Sequence, residues 1–181
     1  MSGSEIGRAA RAIRAGGIVA YPTESCYGLG CDPLNRAAVL RLLKLKRRPA
    51  TKGLILIAYD RAQLAHFARE LPDAVRKSWP GPNTWLVSPT HRVPAWIRGR
   101  HPRVAVRVTA HPAAAALCRA AGIAIVSTSA NRGGERPARD EHEVRRRFGD
   151  SIDYIVPGRI GTRRRPTPIV DAATQAVIRH G

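Results

Sequence analysis

The sequence predicts an α/β fold in which one twisted, mixed sheet is flanked by helices. Three short apolar runs, GIVAYP (17–22), GLILIA (53–58) and VAVRV (104–108), have the length and composition of buried strands. Stretches with helical spacing of apolar residues and favourable capping residues separate these runs. The 181 residues are 44% hydrophobic and contain no internal repeat, which fits one domain with a substantial core.

The N-terminal segment is predicted to form a helix followed by a strand. Ser4 is a favourable N-cap, and Gly16 follows the last apolar position, where helices commonly end. The apolar face of this helix consists of Ile6, Ala9, Ala10 and Ile13. The strand at 17–22 follows directly and stops at Pro22, because proline cannot donate a ladder hydrogen bond.

A second helix and a third are predicted on either side of the strand GLILIA. Asn35 can cap the second helix, and Pro49 prevents it from continuing beyond about Arg47. After the strand, the residues at 60–63 (Asp-Arg-Ala-Gln) resemble a capping box. This pattern predicts a third helix that runs to about Glu70.

The second half of the chain continues the alternation. A short helix is predicted at 72–78, and a longer, alanine-rich helix lies between Pro112 and Gly122. Asp140 opens another short helix, which ends at Gly149. The strands predicted here lie at 84–88, 104–108, 123–127, 153–156, 168–171 and 176–179.

The charge balance indicates an anionic partner. There are 31 basic and 13 acidic residues, so the formal net charge is +18. Such a balance is typical of proteins that bind nucleotides or nucleic acids. The arginines are scattered rather than concentrated in one tract, and a general preference for arginine would produce the same composition.

Several function classes lack their sequence signals. The three cysteines form no CxxC pair and the six histidines stand apart, so neither a disulfide framework nor a zinc site is expected. The sequence contains no P-loop, no GxGxxG fingerprint and no GxSxG elbow. No apolar run is long enough for a membrane span, and the N-terminus is too polar for a signal peptide. We therefore expect a cytoplasmic protein without membrane contact.

The segment KLKRRPATKG (44–53) is the first candidate binding site. Pro49 favours extended backbone at Arg48, and residues two apart on extended backbone point the same way. Lys46 and Arg48 are therefore predicted to converge on one anion, with Arg47 facing away. The alternative is charge that complements a helix dipole, worth about 0.3–1 kcal/mol, which explains one or two cations but not five.

Polar groups after the first strand form a second candidate. In PTESCYGLG (22–30), Thr23 and Glu24 offer a hydroxyl and a carboxylate, while Gly28 and Gly30 permit close backbone approach. An ordinary turn with a glycine-bearing bend is the alternative interpretation.

Two further candidates lie on strands. Arg107 interrupts the apolar strand VAVRV, and a buried arginine requires a partner. That partner is either a carboxylate of the protein or a phosphate of a ligand. STSAN (127–131) places small hydroxyls and an asparagine at a strand end, where they can hold a phosphate and a ribose or base edge. The alternative there is an Asx or ST turn.

Together these segments carry a family resemblance. PTESCYGLG, KRRP-ATKGLILIA, WPGPNT, VAVRVTAHP and STSAN occur in this order, and from about Gly17 to Asp171 the chain resembles the short bacterial form of the YrdC/Sua5 family. The resemblance implies a YrdC-like domain over residues 1–181 with a basic concave face. It also implies that the additional C-terminal domain of the longer Sua5 form is absent.

The resemblance also implies an activity. Family members combine ATP, L-threonine and bicarbonate (or CO2) into threonylcarbamoyl-adenylate and pyrophosphate. A separate complex then transfers the threonylcarbamoyl group to adenosine 37 of tRNA. On this interpretation Lys46 and Arg48 are catalytic and contact ATP, and the other ATP-binding residues are Arg107, Ser129 and Asn131.

For threonine, the resemblance points to Thr23 and to Thr167, which replaces the serine of the family's PSxIxD segment. Ile57 stands where the longer forms carry a histidine. A magnesium ion is expected to accompany ATP, without a dedicated protein metal site. The arginine-rich loop GRIGTRRRPTP (158–168) looks mobile and solvent-facing, and we predict that it closes over ATP.

A different class of function also fits the charge. A non-catalytic protein that binds tRNA or double-stranded RNA would use the same arginines against phosphates, with little sequence preference. Such a protein would tolerate Ser129→Ala and Asn131→Ala, and would lose affinity gradually as arginines are removed. A synthase would instead lose its reaction when Lys46 or Arg48 is removed.

Overall fold

A computed structural model of the protein describes residues 3–181. The helices are α1 (Gly3–Arg14), α2 (Arg36–Leu45), α3 (Asp73–Lys77), α4 (Ala95–Arg98), α5 (Pro112–Ala121) and α6 (Glu141–Phe148). The strands are β1 (Val19–Pro22), β2 (Tyr27–Gly30), β3 (Ile55–Ala58), β4 (Thr84–Val87), β5 (Val104–Val108), β6 (Ile125–Ser129), β7 (Tyr154–Ile155), β8 (Ile169–Asp171) and β9 (Val177–Arg179).

All nine strands join one mixed sheet in the order β7-β1-β2-β6-β3-β5-β4-β8-β9. β1 and β2 form an antiparallel hairpin, and β6 pairs antiparallel with both β2 and β3. β3 and β5 are parallel, as are β4 and β8. The predicted fold class, a mixed sheet flanked by helices, is confirmed.

The two faces of the sheet bury separate clusters. Side chains alternate along each strand, so Leu56 and Val106 join the larger core while Ile57 faces the opposite side. On that opposite side, α1 and α5 pack over Ile57 and Ile125. Arg107 pairs in register with Ile57 and therefore shares the α1/α5 face. This face carries the site described below, at the end of the sheet where the hairpin turns.

Several helix boundaries confirm the capping pattern. α5 begins at Pro112, and Gly122 follows it in the left-handed conformation with φ 76°. The side chain of Asp140 accepts a hydrogen bond from the Glu143 amide and caps α6. α1 already begins at Gly3, so Ser4 lies within its first turn rather than at its cap, and that detail of the prediction is wrong.

The predicted third helix at 60–70 does not form. Only a single 3-10 turn, Ala62–Leu64, follows Asp60, although Asp60 accepts the expected bond from the Gln63 amide. The backbone beyond bonds to the segment after β4 instead: the Thr90 hydroxyl donates to the His66 carbonyl at 2.6 Å, and the Arg69 amide donates to the Ser88 carbonyl at 3.0 Å. Tertiary hydrogen bonds therefore override a local helix-start signal.

Strand β2 was not predicted, because its two glycines have low strand propensity. The structure explains the glycines through close packing. A Cβ on Gly30 would lie 2.3 Å from the Val126 carbonyl oxygen and 3.0 Å from a ring carbon of Tyr21. The close backbone approach predicted for this segment is thus an approach to the protein's own strand β6.

We expect Gly30→Ala to lower the free energy of unfolding by about 3 kcal/mol, the upper end of the usual cost of overpacking. The obstructing atom is backbone and cannot move aside cheaply. Gly7→Ala in α1 is the matched control, because its Cβ would meet only an arginine end at 3.8 Å. That change should stabilise by about 0.5–1 kcal/mol, since alanine favours helix. Urea denaturation measures both, and equal effects would contradict the packing account.

Within residues 3–181, none of the helices is both long enough and apolar enough to cross a membrane.

Candidate active site

A cavity of about 440 Å³ opens on the α1/α5 face, between the β1–β2 turn, the segment after α2, the end of β6 and the arginine-rich loop. Hydroxyl and guanidinium groups share the walls with apolar side chains such as Leu54 and Ile55. Six arginines line it: Arg48, Arg107, Arg136, Arg139, Arg164 and Arg179. Such a lining suits a ligand with several negative charges. The wider basic concave face stays a prediction.

The end of α2 and the end of β6 are in direct contact. Lys46 is the C-cap residue of α2 and is only 4% exposed. Its Nζ donates to the Asn131 carbonyl at 2.7 Å and also to the Ser129 carbonyl. Ser129 lines the cavity, so Lys46 lies one layer behind the wall and fixes the backbone that forms it.

The backbone that brings Lys46 and Arg48 together differs from the prediction. Arg47 has φ 51°, in the left-handed region, rather than extended geometry. The Arg48 amide donates to the Leu43 carbonyl and the Arg47 amide to the Lys44 carbonyl, each at 3.0 Å. This is a Schellman motif with arginine at the position usually held by glycine. The prediction that Arg47 points away holds, because Arg47 is exposed.

Arg48 lies at the cavity edge with hydrogen-bonding capacity to spare. One of its terminal nitrogens donates to the Gly53 carbonyl at 2.9 Å. Its Nε is buried and has no hydrogen-bond partner among residues 3–181. Burial also lowers the pKa of the Arg48 guanidinium below its ordinary value. A buried, incompletely bonded cation is a favourable place for an anion to bind.

For Arg107, the structure decides between the two possible partners. A carboxylate of the protein, Glu24, lies 3.2 Å from its Nη2. Its Nη1 donates to the hydroxyls of Thr167 at 2.8 Å and Thr84 at 3.3 Å. The Nε is buried and unpartnered within the described part of the chain. Arg107 therefore has protein partners for three of its five N–H groups, and its buried Nε is unpartnered.

The two residues predicted to bind threonine both line the cavity, but their hydroxyls also make internal bonds. The Thr23 hydroxyl donates to the Cys26 carbonyl at 2.8 Å and closes the turn between β1 and β2. The Thr167 hydroxyl accepts from Arg107. Ile57, at the histidine position of the longer forms, is fully buried beneath α1 and α5.

Ser129 and Asn131 form a bonded pair. The Ser129 hydroxyl donates to Oδ1 of Asn131 at 2.6 Å. The Asn131 amide donates to the carbonyls of Arg132 and Glu135, each at 2.9 Å, and so shapes the loop after β6. Ser129 reaches the cavity wall, while Asn131 organises the loop that carries Arg136 and Arg139.

The arginine-rich loop is anchored to the site rather than merely solvent-facing. The Gly161 amide donates to the Thr23 carbonyl at 2.9 Å, and the Arg163 amide donates to the Glu24 carbonyl at 3.2 Å. Arg164 and Pro166 line the cavity. Closure of this loop over ATP stays a prediction.

Sequence reasoning missed three cavity arginines. Arg136 and Arg139 follow STSAN closely, and their position just beyond a candidate strand end was an available signal. Arg179 had no local signal, because only the pairing of β9 with β8 brings it near. Its guanidinium donates to the Thr167 carbonyl, with Nη2 at 2.6 Å. Burial lowers the pKa of Arg179, and the charges of Arg107 and Arg48 lower it further.

Cys26 also lines the cavity, but its thiol is not activated as a nucleophile. Burial raises the pKa of its thiol, so the thiolate is disfavoured at neutral pH. Residues 3–181 contain no cluster of three or more histidine, cysteine, aspartate or glutamate side chains that could hold a metal ion. The six arginines of the lining suit the cavity to binding and orienting an anion.

The lowered pKa of Lys46 predicts that the affinity for ATP depends on pH. Burial lowers its pKa to about 8, and the neighbouring charge of Arg48 contributes. We expect ATP affinity to weaken about tenfold between pH 7 and 9.5, since a charged hydrogen bond to the wall is lost. Calorimetric titration with ATP alone avoids the titrating threonine amine, and constant affinity would contradict this prediction.

The lowered pKa of Lys46 predicts the opposite pH trend for the free energy of unfolding. Because the folded-state pKa lies below the ordinary value of 10.5, the unfolded chain holds more protons between these values. The contribution of Lys46 to the free energy of unfolding therefore rises, not falls, from about pH 8 upward. A loss of ATP affinity between about pH 8 and 10.5 would therefore not result from destabilisation of the fold by the titration of Lys46.

Comparisons with known proteins all indicate one family. The profile of the Sua5/YciO/YrdC family, described as "Telomere recombination", matches residues 11–181. The threonylcarbamoyl-AMP synthase of Halorhodospira halophila is 55% identical over 175 residues, which cover 94% of this chain and 92% of that protein. The threonylcarbamoyl-AMP synthase of Methylococcus capsulatus is 54% identical over 183 residues, covering 99% and 98%.

Among solved structures, P. abyssi Sua5 in complex with L-threonine superposes with a TM-score of 0.88 at 34% identity. The match covers 94% of this chain but 52% of the Sua5 chain, so this protein spans about half the length of that relative.

Proposed function

The chain belongs to the Sua5/YciO/YrdC family, and from this membership and the cavity we propose that it is a threonylcarbamoyl-AMP synthase. The reaction would join L-threonine, bicarbonate or CO2, and ATP into threonylcarbamoyl-AMP and pyrophosphate. It would serve the N6-threonylcarbamoyl modification of adenosine 37 in tRNA.

One observation supports this proposal most strongly. Arg48 and Arg107 face one cavity, and each has a buried Nε without a partner in residues 3–181. Arg179 reaches the same cavity, and its pKa is lowered in part by the other two charges. Three neighbouring guanidinium groups, two of them with an unpartnered Nε, are well matched to a chain of phosphates. Relatives that align over nearly the whole chain are named for an ATP-derived product.

The proposed chemistry begins with threonine. Its amine adds to CO2 and loses a proton, giving a carbamate, and a carbamate oxygen then attacks the α-phosphorus of ATP. The bond from that phosphorus to the bridging oxygen breaks, and pyrophosphate leaves with the electron pair. Negative charge accumulates on phosphoryl oxygens, so positioning and electrostatic stabilisation are expected to supply most of the rate.

We assign the chain's own residues accordingly. Arg48 and Arg107 contact the phosphates, and Ser129 contributes to nucleotide binding from the cavity wall. Lys46 supplies positive charge and holds that wall in place. Thr23 and Thr167, both in the cavity lining, are assigned to the threonine side.

Magnesium is proposed as part of the ATP substrate. A resident metal does not fit the described residues, because Glu24, the carboxylate bonded to Arg107, already uses both oxygens within the protein. The ion would therefore be held by phosphates, and no step is assigned to a protein-bound metal.

The experiment that tests the proposed function is mass spectrometry of the product formed from ATP, L-threonine and bicarbonate. We expect threonylcarbamoyl-AMP when all three are present and none when any one is omitted. ATP hydrolysis to free AMP without the adduct would overturn the proposal.

We further propose that the protein meets RNA and a downstream transfer complex in the cytoplasm. Three exposed arginines line the cavity, Arg136, Arg139 and Arg164, and further exposed arginines lie on α6 and next to Arg164: Arg145, Arg146 and Arg165. This distribution also supports the non-catalytic RNA-binding alternative. The omission experiment separates the two, because a binder forms no adduct.

A further inference from the structure

The backbone at Arg47 is strained for the residue that occupies it. Arg47 has φ 51° and is one of two non-glycine residues with positive φ in the described part of the chain. In this conformation the Cβ lies close to the following carbonyl oxygen, so a glycine would be more stable here than an arginine. The other such residue, Gln175, has a local use for its side chain, whose amide donates to the Ala172 carbonyl at 3.1 Å.

The side chain of Arg47 has no comparable role in the fold. It is exposed, does not line the cavity, and makes no hydrogen bond, ion pair or ring contact within residues 3–181. The hydrogen bonds that end α2 come from the backbone amides of Arg47 and Arg48, and glycine at position 47 would make them equally well. Strain at a residue without internal contacts points to a contact outside the chain.

The surface around Arg47 is continuous with the end of α6. The Gly133 amide donates to the Lys46 carbonyl at 3.0 Å, so the loop after β6 packs on the end of α2. In the same loop, the Arg132 guanidinium donates to the Arg147 carbonyl at 2.9 Å and lies 5.2 Å from the centre of the Phe148 ring. The exposed cations of these two helix ends, here called the α2–α6 surface, are Lys44, Arg47, Arg145 and Arg146.

The chemistry of the α2–α6 surface favours a nucleic acid over a protein. None of its four cations has a large exposed hydrophobic side chain beside it within the set, whereas protein interfaces bury an apolar centre. The neighbouring carboxylates are already hydrogen-bonded within the protein: Glu135 accepts from the Arg132 amide at 3.3 Å, and Glu143 accepts from Arg136 at 2.8 Å. Exposed cations without apolar contacts are what a phosphate backbone requires.

We propose that Arg47 is a phosphate contact for RNA on the α2–α6 surface, outside the nucleotide cavity. The proposal rests on the proposed function for the identity of the polyanion, and it deepens that function by naming a binding residue and a surface. Both α2 and α6 pack on the larger core cluster, whereas α1 and α5 cover the opposite face of the sheet. Because Arg47 does not line the cavity, RNA held there leaves the cavity free for ATP.

The strain at Arg47 provides a test with two readouts that move in opposite directions. Arg47→Gly removes both the strain and the cation. We expect it to raise Tm by about 2 °C, measured by calorimetry. Its affinity for an unmodified tRNA transcript, measured by fluorescence anisotropy, should fall about 3- to 10-fold at about 50 mM salt. The slope of log affinity against log salt concentration should become shallower by about 1.

Two variants serve as controls. Arg11→Ala removes the same net charge from an exposed position of α1, on the opposite face of the sheet. It should leave the salt slope unchanged and the affinity for tRNA within about twofold, because only charges near the bound phosphates release counterions. Arg47→Lys keeps both the charge and the strain, and should keep the wild-type slope and Tm. An equal loss of slope in Arg11→Ala and Arg47→Gly would show an effect of net charge and overturn the proposal.

The remaining outcomes separate this proposal from the synthase activity. An unchanged salt slope in Arg47→Gly, or a lower Tm, would overturn the proposal, since a lower Tm would show that the arginine stabilises the fold. Absence of tRNA binding by the wild type would also overturn it. Formation of threonylcarbamoyl-AMP without RNA should stay within about twofold in Arg47→Gly. A wild type that binds tRNA but forms no adduct would remove the proposed synthase and leave the Arg47 contact supported by the salt slope.

Discussion

Arg48→Ala is expected to reduce threonine- and bicarbonate-dependent pyrophosphate release by about 100- to 1,000-fold, corresponding to about 2–4 kcal/mol of lost transition-state stabilisation. Arg48 lies at the cavity edge with a buried Nε that no other group in residues 3–181 satisfies. Negative charge builds up on phosphoryl oxygens during the proposed attack, so a fixed guanidinium contributes more in the transition state than in the ground state. The measurement is steady-state pyrophosphate release at saturating substrates.

Lys52→Ala is the matched control for this variant. It removes one positive charge from the same loop, but Lys52 is exposed and only its carbonyl meets Arg48, at 3.4 Å. We expect it to retain activity within about threefold, as for most surface substitutions. Equal losses in the two variants would show that overall charge, and not the position of Arg48, supports the reaction.

Lys46→Met should remove activity to a similar degree and also destabilise the fold. Methionine keeps the length of the side chain but removes the Lys46 donor from both carbonyls; the Ser129 carbonyl keeps the hydrogen bond from the Asn131 amide at 2.9 Å, whereas the Asn131 carbonyl loses its side-chain donor. The cost in free energy of unfolding is expected to be about 1–3 kcal/mol, the penalty for unsatisfied buried polar groups. Urea denaturation and pyrophosphate release are both measured, at a temperature where the variant remains folded.

The comparison for Lys46 is Lys44→Met. Lys44 lies one residue before the end of α2 and is exposed, so its loss changes the charge of the same helix end without touching the cavity wall. It should alter both readouts by less than about 0.5 kcal/mol. A folded Lys46→Met protein with full activity would contradict the assigned role of Lys46.

Much of this site was predictable because its parts are local. The helix end before Pro49 and the strand end at STSAN carry their signals in a few adjacent residues, and α/β topology brings such ends to one side of a sheet. The predicted convergence of Lys46 and Arg48 on one anion stays a prediction: Arg48 lines the cavity, but Lys46 bonds to carbonyls behind its wall, and the backbone between them is left-handed rather than extended. A left-handed arginine at position 47 is not visible in a sequence, because that conformation normally selects glycine or asparagine.

The features that sequence reasoning missed depend on long-range contacts. β2 is a strand because the glycines let it approach β6, which outweighs their poor propensity. The helix after Asp60 is lost because distant residues at 88–90 compete for its backbone groups. Arg179 enters the cavity only through the order of strands at the sheet edge. Glu24 and Arg107, which pair in the structure, are likewise 83 residues apart in the sequence.

The most direct test of the central claim, that one cavity between Arg48 and the end of β6 holds the triphosphate of ATP, is calorimetric titration of the wild-type protein and of Arg48→Ala with ATP. The account predicts saturable binding to one site in the wild type and at least about tenfold weaker binding in the variant. Unchanged ATP affinity in Arg48→Ala, or no binding by the wild type, would contradict it.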